Sequence, residues 1–353
     1  MQQFILKLIL ISIVVCGANY WLAGFRPDGW ENIEFYNKHK TFLEQYQDST
    51  NSLFFGSSRM LRHLDPVIFD SVNAIKGIRT NSYVLATNAA FFNEQCYLLD
   101  RFFADPASSS NLDYVFLELD DIITIYPEML FSTQGSYYIQ PDNLSRIIRQ
   151  IRASKESTRR KIAQISSHVI SMVRHHLYMG HGRQNLEMLS FSRSQKEHHP
   201  TLARKGYAPI DTTFPEFRRS LNWQERNALL MLDTMRIHTM FHKLDTLYSQ
   251  PLPGDIHNPI LLERYLSFIR SMEERGVHVT CILPMRVSVS RELVSLYNAL
   301  PERHRINMSG HPDITTLKAT KYWFDNGHLN LQGSRTYSVL VADAFAEMMA
   351  SEE

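Results

Sequence analysis

Residues 52–59 read Ser-Leu-Phe-Phe-Gly-Ser-Ser-Arg, a short apolar run that leads directly into a tight Gly-Ser turn. An apolar run of this length, bounded by a turn, is typical of a buried strand. In α/β proteins the turn between a strand and the next helix is a common position for reactive groups. We therefore predict a strand over 52–55 and a helix that begins at Ser58.

The same alternation continues on either side of this stretch. Apolar runs at 82–85, 113–119 and 277–283 predict three further strands. Periodic segments at 88–103 and 259–275 predict helices, and the chain closes with another helix that carries apolar residues on one face. Strands that alternate with helices at this spacing favour βαβ units and hence a parallel sheet.

The N-terminus carries the strongest targeting signal. Residues 4–25 are almost continuously apolar, about the length needed to cross a bilayer. We predict an uncleaved membrane anchor over 1–26; a cleaved signal peptide and lipidation at Cys16 are the alternatives. The excess of lysine and arginine on either side is weak, so the side of the membrane does not follow from charge alone.

Composition excludes several classes of function. The formal net charge is +1 over 353 residues, so nothing global points to nucleic acid. The three cysteines are far apart, without CxxC spacing, which argues against a disulfide framework or a zinc site. His238 and His242 have metal-ligand spacing but lack a third ligand type nearby. With no glycine-rich phosphate motif either, we predict no metal and no cofactor.

The middle of the chain differs from its two ends. We predict a juxtamembrane linker over 27–50 and an α/β domain over 51–353, with a helical insertion at about 140–250. Asp142 is a good N-cap for the first inserted helix, and Asn222 with Glu225 resembles a capping box. Residues 142–181 contain eight lysines and arginines against two acidic residues, a net charge of +6. This surface is either simply solvated or faces anionic lipid or polymer.

A second short motif lies near the C-terminus. A serine hydroxyl becomes a nucleophile when a histidine takes its proton, and that histidine needs a carboxylate to fix its tautomer. Residues 324–330 read Phe-Asp-Asn-Gly-His-Leu-Asn, with Asp325 three residues before His328 in a loop ahead of the last helix. We therefore predict that Ser58, His328 and Asp325 form a triad.

Gly56-Ser57-Ser58 after an early strand, with Asp325-x-x-His328 near the end, resembles the SGNH (GDSL-like) hydrolase superfamily. The resemblance implies a flavodoxin-like three-layer fold with a parallel central sheet, and it implies Ser58 as nucleophile, His328 as base and Asp325 as its orienting partner. Ser57 is the alternative nucleophile. Arg59 either binds an anionic or carbonyl-bearing substrate or forms a surface ion pair.

The sequence departs from that family at the expected oxyanion hole. No Gly-x-Asn segment follows the third strand, where Asp120 and Asp121 stand instead and are expected to be positioning residues. The amides of Ser58 and of Ala86 or Thr87 remain candidate donors. The Asn88 side chain either joins them or caps the following helix.

Within the superfamily, the anchor and the two motifs resemble the envelope branch that includes the teichoic-acid D-alanyl-transfer protein and polysaccharide O-acetylation factors. This resemblance implies a single-pass protein of the bacterial inner membrane with an extracytoplasmic domain. It also implies acyl transfer or ester hydrolysis on an envelope polysaccharide, beside a multipass membrane-bound O-acyltransferase. The alternative is a non-catalytic binding or scaffold protein in an envelope-polymer assembly or export complex.

Overall fold

Apart from a few single positions, the computed structural model of the chain describes residues 2–23, 32–124, 137–177, 204–213, 256–286, 289–306 and 311–351. The chain divides into two compact units. The first comprises Met1–Asn37 and Ile123–His199, and the second comprises Lys38–Ile122 and Pro200–Glu353. All the strands named below belong to the second unit.

The second unit is built on a five-stranded sheet in which neighbouring strands are parallel. Across the sheet the order is β2-β1-β3-β4-β5. The predicted α/β class with a parallel central sheet is therefore confirmed. In chain order the strands are β1 Ser52–Phe55, β2 Ser82–Val84, β3 Tyr114–Glu118, β4 His278–Ile282 and β5 Arg305–Ile306.

The direction of winding reverses between β1 and β3. Leu53 of β1 pairs with Tyr83 of β2 on one side and with Val115 of β3 on the other. In open parallel sheets, ligands bind outside the carboxyl ends of the strands at such a reversal. Ser58 follows β1, and Glu118 is the last residue of β3, so both stand at this crevice.

Four of the strands agree with the sequence prediction to within one residue at each end. They are predictable because they are nearly continuous apolar runs, as expected for strands that are buried on both faces. β5 was not predicted. It has only two residues, too few to show any periodicity.

The described residues form eleven α-helices. They are α1 Gln2–Ala23, α2 Ile33–Thr41, α3 Ser58–His63, α4 Pro66–Ile75, α5 Phe92–Ala104, α6 Pro141–Ala153, α7 Thr158–His176, α8 Ile210–Thr213, α9 Pro259–Glu273, α10 Arg291–Ala299 and α11 Leu331–Ala350.

The sequence predicted helix starts at Asp142 and at Asn222. α6 begins at Pro141 and its N-cap is Gln140, so the prediction of Asp142 as N-cap is wrong. Proline favours the first helical position because its missing N–H is not needed there, and Asp142 then adds negative charge to the first turn. The helix predicted to begin at Asn222 lies outside the described residues, as does most of 178–255.

An aromatic cluster holds the helices against one face of the sheet. The Phe54 and Phe116 rings of β1 and β3 stack with centroids 4.4 Å apart. Phe69 of α4 contacts both strands' rings edge-on, and Phe345 of α11 meets the Phe116 ring at 5.0 Å. All four side chains are buried, and burial of each phenylalanine stabilises the fold by about 2 kcal/mol. This core fixes β1 relative to α11, the last helix of the second unit.

Part of the segment predicted as a linker is an element of the second unit. Residues 24–31 lie outside the described residues, but Phe42 is 1% exposed and its ring contacts those of Tyr83 and Phe102. Lys38 is buried too, and its ammonium group donates a hydrogen bond of 2.5 Å to the carbonyl of Ala86. Residues 38–46 therefore pack one face, with Lys38, Thr41 and Phe42, into the second unit and are not a fully solvated connection.

The N-terminal helix α1 is long and apolar enough to cross a membrane. Its apolar stretch, Gln2–Trp21, has a mean hydropathy of 1.9, and none of it is buried within the protein. A helix that is apolar around its whole circumference has no soluble face. Length and composition thus fit a single span.

Candidate functional site

Ser58 is the first residue of α3, immediately after β1 and the turn at Gly56-Ser57. Ser57 is the N-cap of α3 in extended conformation, and its hydroxyl oxygen accepts a hydrogen bond from the Arg59 amide at 3.3 Å. This cap starts the helix without help from Ser58. The Ser58 side chain is therefore left to project from the edge of the sheet.

The structure brings the three predicted residues together. Ser58 Oγ lies 3.0 Å from His328 Nε2, although the two residues are 270 positions apart in the chain. His328 Nδ1 lies 3.0 Å from Asp325 Oδ1 and 3.2 Å from Oδ2. Both contacts are within hydrogen-bond reach, so serine, imidazole and carboxyl group form one continuous relay.

Local hydrogen bonds fix the loop that carries Asp325 and His328. Asp325 Oδ1 accepts the backbone amides of Gly327 at 2.7 Å and His328 at 2.8 Å. The Phe324 amide in turn donates to the His328 carbonyl at 2.8 Å. A tight Asx-type turn of this kind is what Asp-Asn-Gly sequences favour. The spacing of three residues therefore lets one carboxylate hold both the loop and the imidazole.

The hydrogen bonds determine the tautomer of His328. A carboxylate can only accept, so Nδ1, which faces Asp325, carries the proton. Nε2 is then the lone-pair nitrogen, and it faces the Ser58 hydroxyl. This is the arrangement in which imidazole can remove the serine proton.

Glu118 binds the turn at Gly56-Ser57-Ser58, which we call the nucleophile turn after the role predicted for Ser58, and sequence reasoning missed it. Its side chain is 1% exposed and accepts the Ser57 amide at 2.6 Å, the Ser57 hydroxyl at 2.8 and 2.9 Å, and Arg59 Nε at 2.8 Å. A Cβ at Gly56 would stand 2.6 Å from Glu118 Oε2, which explains why glycine is needed there. The available signal was the single carboxylate in the apolar run of β3.

These contacts bear on two of the alternatives left open by the sequence. The Ser57 hydroxyl donates to Glu118, whereas the Ser58 hydroxyl faces the imidazole. Arg59 forms an ion pair with Glu118 at 2.8 Å and is largely buried, so it is not a surface ion pair. Both side chains hold the turn in place, and Ser58 alone of the three is directed to His328.

The candidate oxyanion donors are only partly available. The Thr87 amide donates to the Gly56 carbonyl at 3.1 Å; Ala86 is buried, and Lys38 binds its carbonyl rather than its amide. The Ser58 amide, at the first position of α3, has no acceptor within its own helix. Of the predicted backbone donors, the Ser58 amide is thus the one placed at a helix N-terminus, which favours negative charge.

Asn88 does not cap the following helix, because α5 begins at Phe92 with Phe91 as its cap. The second of the two alternatives for Asn88 is therefore excluded. Asn88 Oδ1 instead accepts a hydrogen bond of 2.8 Å from Arg62, a buried residue of α3. Asn88 is therefore tied to the same short helix that begins at Ser58.

His63 is a second imidazole beside the relay. Its ring centroid is 6.1 Å from that of His328, and its Nε2 accepts the Leu329 amide at 3.0 Å. Burial, aided by the nearby charges of His328, Arg59 and Arg62, holds the pKa of His63 well below its usual range. A neutral His63 fixes the backbone just after His328 and adds no charge to the site.

The two aspartates after β3 hold backbone and side chains. Asp120 accepts the amides of Phe92 at 3.1 Å and Ile122 at 3.2 Å, and burial raises its pKa to about 7. Asp121 accepts a hydrogen bond from the Ser290 hydroxyl and lies 3.5 Å from Arg286. Both residues have the positioning contacts expected from the sequence.

Within the described ranges, no group of three or more histidine, cysteine or acidic residues is arranged to hold a metal ion. His238 lies outside those ranges. The chain matches no family model, no curated protein and no solved structure. The functional argument therefore rests on the geometry of the site.

Proposed function

We propose that the chain is a membrane-anchored serine acyltransferase or esterase that works through an acyl-enzyme on Ser58. One observation carries this proposal: Ser58 Oγ, His328 and Asp325 are linked by contacts of 3.0 Å each. A serine, an imidazole of fixed tautomer and a buried carboxylate are the parts that nucleophilic acyl transfer requires.

The proposed reaction has two halves. His328 Nε2 takes the Ser58 proton while Oγ attacks the carbonyl carbon of an acyl donor. His328 then gives that proton to the departing oxygen, leaving an ester on Ser58. In the second half His328 removes a proton from a sugar hydroxyl or from water, whose oxygen attacks the ester carbonyl; the bond to Ser58 Oγ breaks and His328 returns the proton to Oγ.

We further propose that the domain is an SGNH-like, flavodoxin-like three-layer fold. The strand order β2-β1-β3-β4-β5 supports this, because it is the order of the flavodoxin-like doubly wound sheet. The positions of the serine after β1 and of the Asp-x-x-His loop before the last helix support it as well.

The proposed substrate class and location rest on the anchor together with the resemblance to the envelope branch. A single span formed by α1 would keep the domain at the bacterial inner membrane, with the domain on the extracytoplasmic side. There the acceptor would be an envelope polysaccharide, and a multipass membrane-bound O-acyltransferase would supply the acyl group. Tethering raises the effective concentration of the two proteins.

The test is covalent labelling of the full chain in detergent micelles. We expect a fluorophosphonate to label the wild type, and a p-nitrophenyl acetate pulse to give a burst of nitrophenol. Ser58→Ala and His328→Ala should abolish both signals. Ser145→Ala and His176→Ala, which alter exposed residues outside the relay, should leave both signals unchanged. A folded wild type that takes no label refutes the enzyme.

A non-catalytic SGNH-like scaffold is the second candidate, and the oxyanion region favours it. The Thr87 amide is already used by the Gly56 carbonyl, so a tetrahedral oxyanion would have fewer donors than usual. Loss of one such donor typically costs about 10²–10³ in rate. A scaffold would bind envelope polysaccharide equally well in wild type and Ser58→Ala, whereas an enzyme would show acyl turnover that the variant lacks.

A further inference from the structure

α7 exposes more apolar surface than an ordinary surface helix. Its exposed face carries five large apolar side chains, with exposed fractions from 36% to 61%: Ile162, Val169, Ile170, Val173 and Leu177 at the end of the helix. Its buried residues, His168 and Ser171, are polar and each 1% exposed, while Ile165 and Met172 are half-buried on the same side. Soluble helices usually keep their large apolar side chains inward.

The exposed apolar residues share one face of the helix, which we call the α7 stripe. Val169, Val173 and Leu177 follow one another at steps of four residues, and Ile162 lies two turns before Val169 with Ser166 between them. The stripe covers about 16 residues, or roughly 24 Å at 1.5 Å per residue. An exposed apolar surface of that length, interrupted at Ser166, marks a contact with something apolar.

The charges near the stripe indicate what covers it. Residues 142–177 contain eight lysines and arginines against two acidic residues, a net charge of +6. Arg159 is exposed one turn before Ile162 on the same face, and Arg160 is exposed beside it. Apolar residues that enter a bilayer with basic residues beside them are the pattern of interfacial helices on anionic lipid.

The location of α7 in the chain supports the same occupant. α7 and the apolar helix α1 belong to the same compact unit. If α1 is the anchor, as proposed above, that unit is held at the bilayer, where a basic and apolar surface meets lipid headgroups first. A second contact of this kind strengthens binding because the two act in one molecule.

We propose that the α7 stripe lies in the interface of an anionic bilayer and forms a second membrane contact beside α1. Ile170 and Val173 enter the boundary between headgroups and acyl chains. Arg159 and its basic neighbours bind anionic headgroups. The proposal rests on the membrane anchor and is independent of the chemistry at Ser58.

The test places an environment-sensitive fluorophore on the stripe. Cys16→Ser removes the cysteine of α1, and Cys96 and Cys281 are buried, so a new surface cysteine is labelled selectively. Ile170→Cys and Val173→Cys report on the stripe. Ile75→Cys is the matched control, because Ile75 is an exposed isoleucine of the second unit at 86% exposure. The full chain is reconstituted in vesicles of phosphatidylcholine, with or without phosphatidylglycerol.

We expect a blue-shifted emission at positions 170 and 173, quenched by spin-labelled acyl chains and stronger with phosphatidylglycerol, and no quenching at position 75. If the emission at position 170 shows no blue shift, the label is in water and the proposal is wrong. If the emission is blue-shifted but not quenched by the spin-labelled acyl chains, protein rather than lipid covers the stripe, and the proposal is also wrong. Equal quenching in both lipids overturns the role of the basic residues. Flotation of the chain with the vesicles tests membrane association through α1 separately. Fluorophosphonate labelling tests the proposed reactivity of Ser58.

Discussion

Replacement of Glu118 by glutamine tests the role assigned to the carboxylate beneath the nucleophile turn. Glutamine keeps the size and one acceptor oxygen but removes the charge and adds an amide donor that faces other donors. The wild-type carboxylate accepts from the Ser57 amide, the Ser57 hydroxyl and Arg59 Nε. Glu118→Gln therefore removes the carboxylate that is hydrogen-bonded to the largely buried Arg59 guanidinium, which leaves only the more distant charges of Asp120 and Asp121 to balance it.

The expected loss of stability follows from those contacts. Hydrogen bonds to a charged group contribute about 1.5–3 kcal/mol each, and breaking a buried ion pair costs about 3–5 kcal/mol. Because glutamine retains part of the network, we expect Glu118→Gln to lower the free energy of unfolding by about 3 kcal/mol. For a 353-residue chain, an unfolding entropy of about 2.1 cal/mol/K per residue makes this a fall of roughly 4 °C in Tm.

The assay compares Glu118→Gln with a matched control. Glu273 forms a similar pair with Arg303 at 2.9 Å, but both side chains are substantially exposed. Glu273→Gln should therefore cost less than about 1 kcal/mol. Tm of the full chain in detergent and the rate of fluorophosphonate labelling are measured for both variants. Labelling should slow only in Glu118→Gln, because its turn no longer holds Ser58 toward His328. If the two variants have equal Tm values and equal labelling rates, Glu118 has no positioning role.

The remaining predictions concern the relay and its surroundings. Asp325→Asn should slow acyl-enzyme formation by roughly 10³–10⁴-fold, because an amide no longer fixes the Nδ1 proton of the imidazole; wild-type burst kinetics in this variant would contradict the relay. His63→Gln should reduce the loss of Tm between about pH 7.5 and pH 5.5. The unfolded chain protonates this imidazole below its ordinary pKa of 6.5 while the folded chain does not, so wild-type stability falls as pH drops. An equal loss of Tm in both proteins would exclude His63 as the source. Gly56→Ala should abolish labelling, since its Cβ would overlap the Glu118 side chain, whereas Gly327→Ala, whose nearest neighbour would be at 3.5 Å, should retain it. Similar labelling in both glycine variants would show that the turn tolerates a side chain.

Local sequence signals predicted the separate motifs of the site but not the contact between them. Gly56-Ser57-Ser58 after an apolar strand, and the Asp325-x-x-His328 turn, are each visible because the residues interact within three or four positions. The limits of β1 to β4 were visible for a similar reason, since buried strands are short apolar runs. The contact between Ser58 and His328 spans 270 positions, and no local pattern encodes it.

The role of Glu118 shows what a linear reading leaves out. In sequence it is one carboxylate inside an apolar strand, which is compatible with a strand end, an ion pair or a binding group. Its partners come from the turn after β1, and the parallel pairing of β1 with β3 brings them together. The environment of Asn88 also depends on tertiary contacts. Its local sequence allows an N-cap role, but α5 begins at Phe92 and Asn88 Oδ1 accepts a hydrogen bond from Arg62.

By itself, then, the sequence determined the α/β alternation, the apolar N-terminal helix, the nucleophile turn and the Asp-x-x-His loop. Each of these depends on interactions between near neighbours. Only the tertiary structure decided that Ser58 and His328, 270 positions apart, come into contact, that Glu118 supports the turn, and that α7 exposes five large apolar side chains. Those features depend on which distant segments the sheet and its aromatic core bring into contact. A local sequence pattern cannot predict contacts between residues that are far apart in the chain.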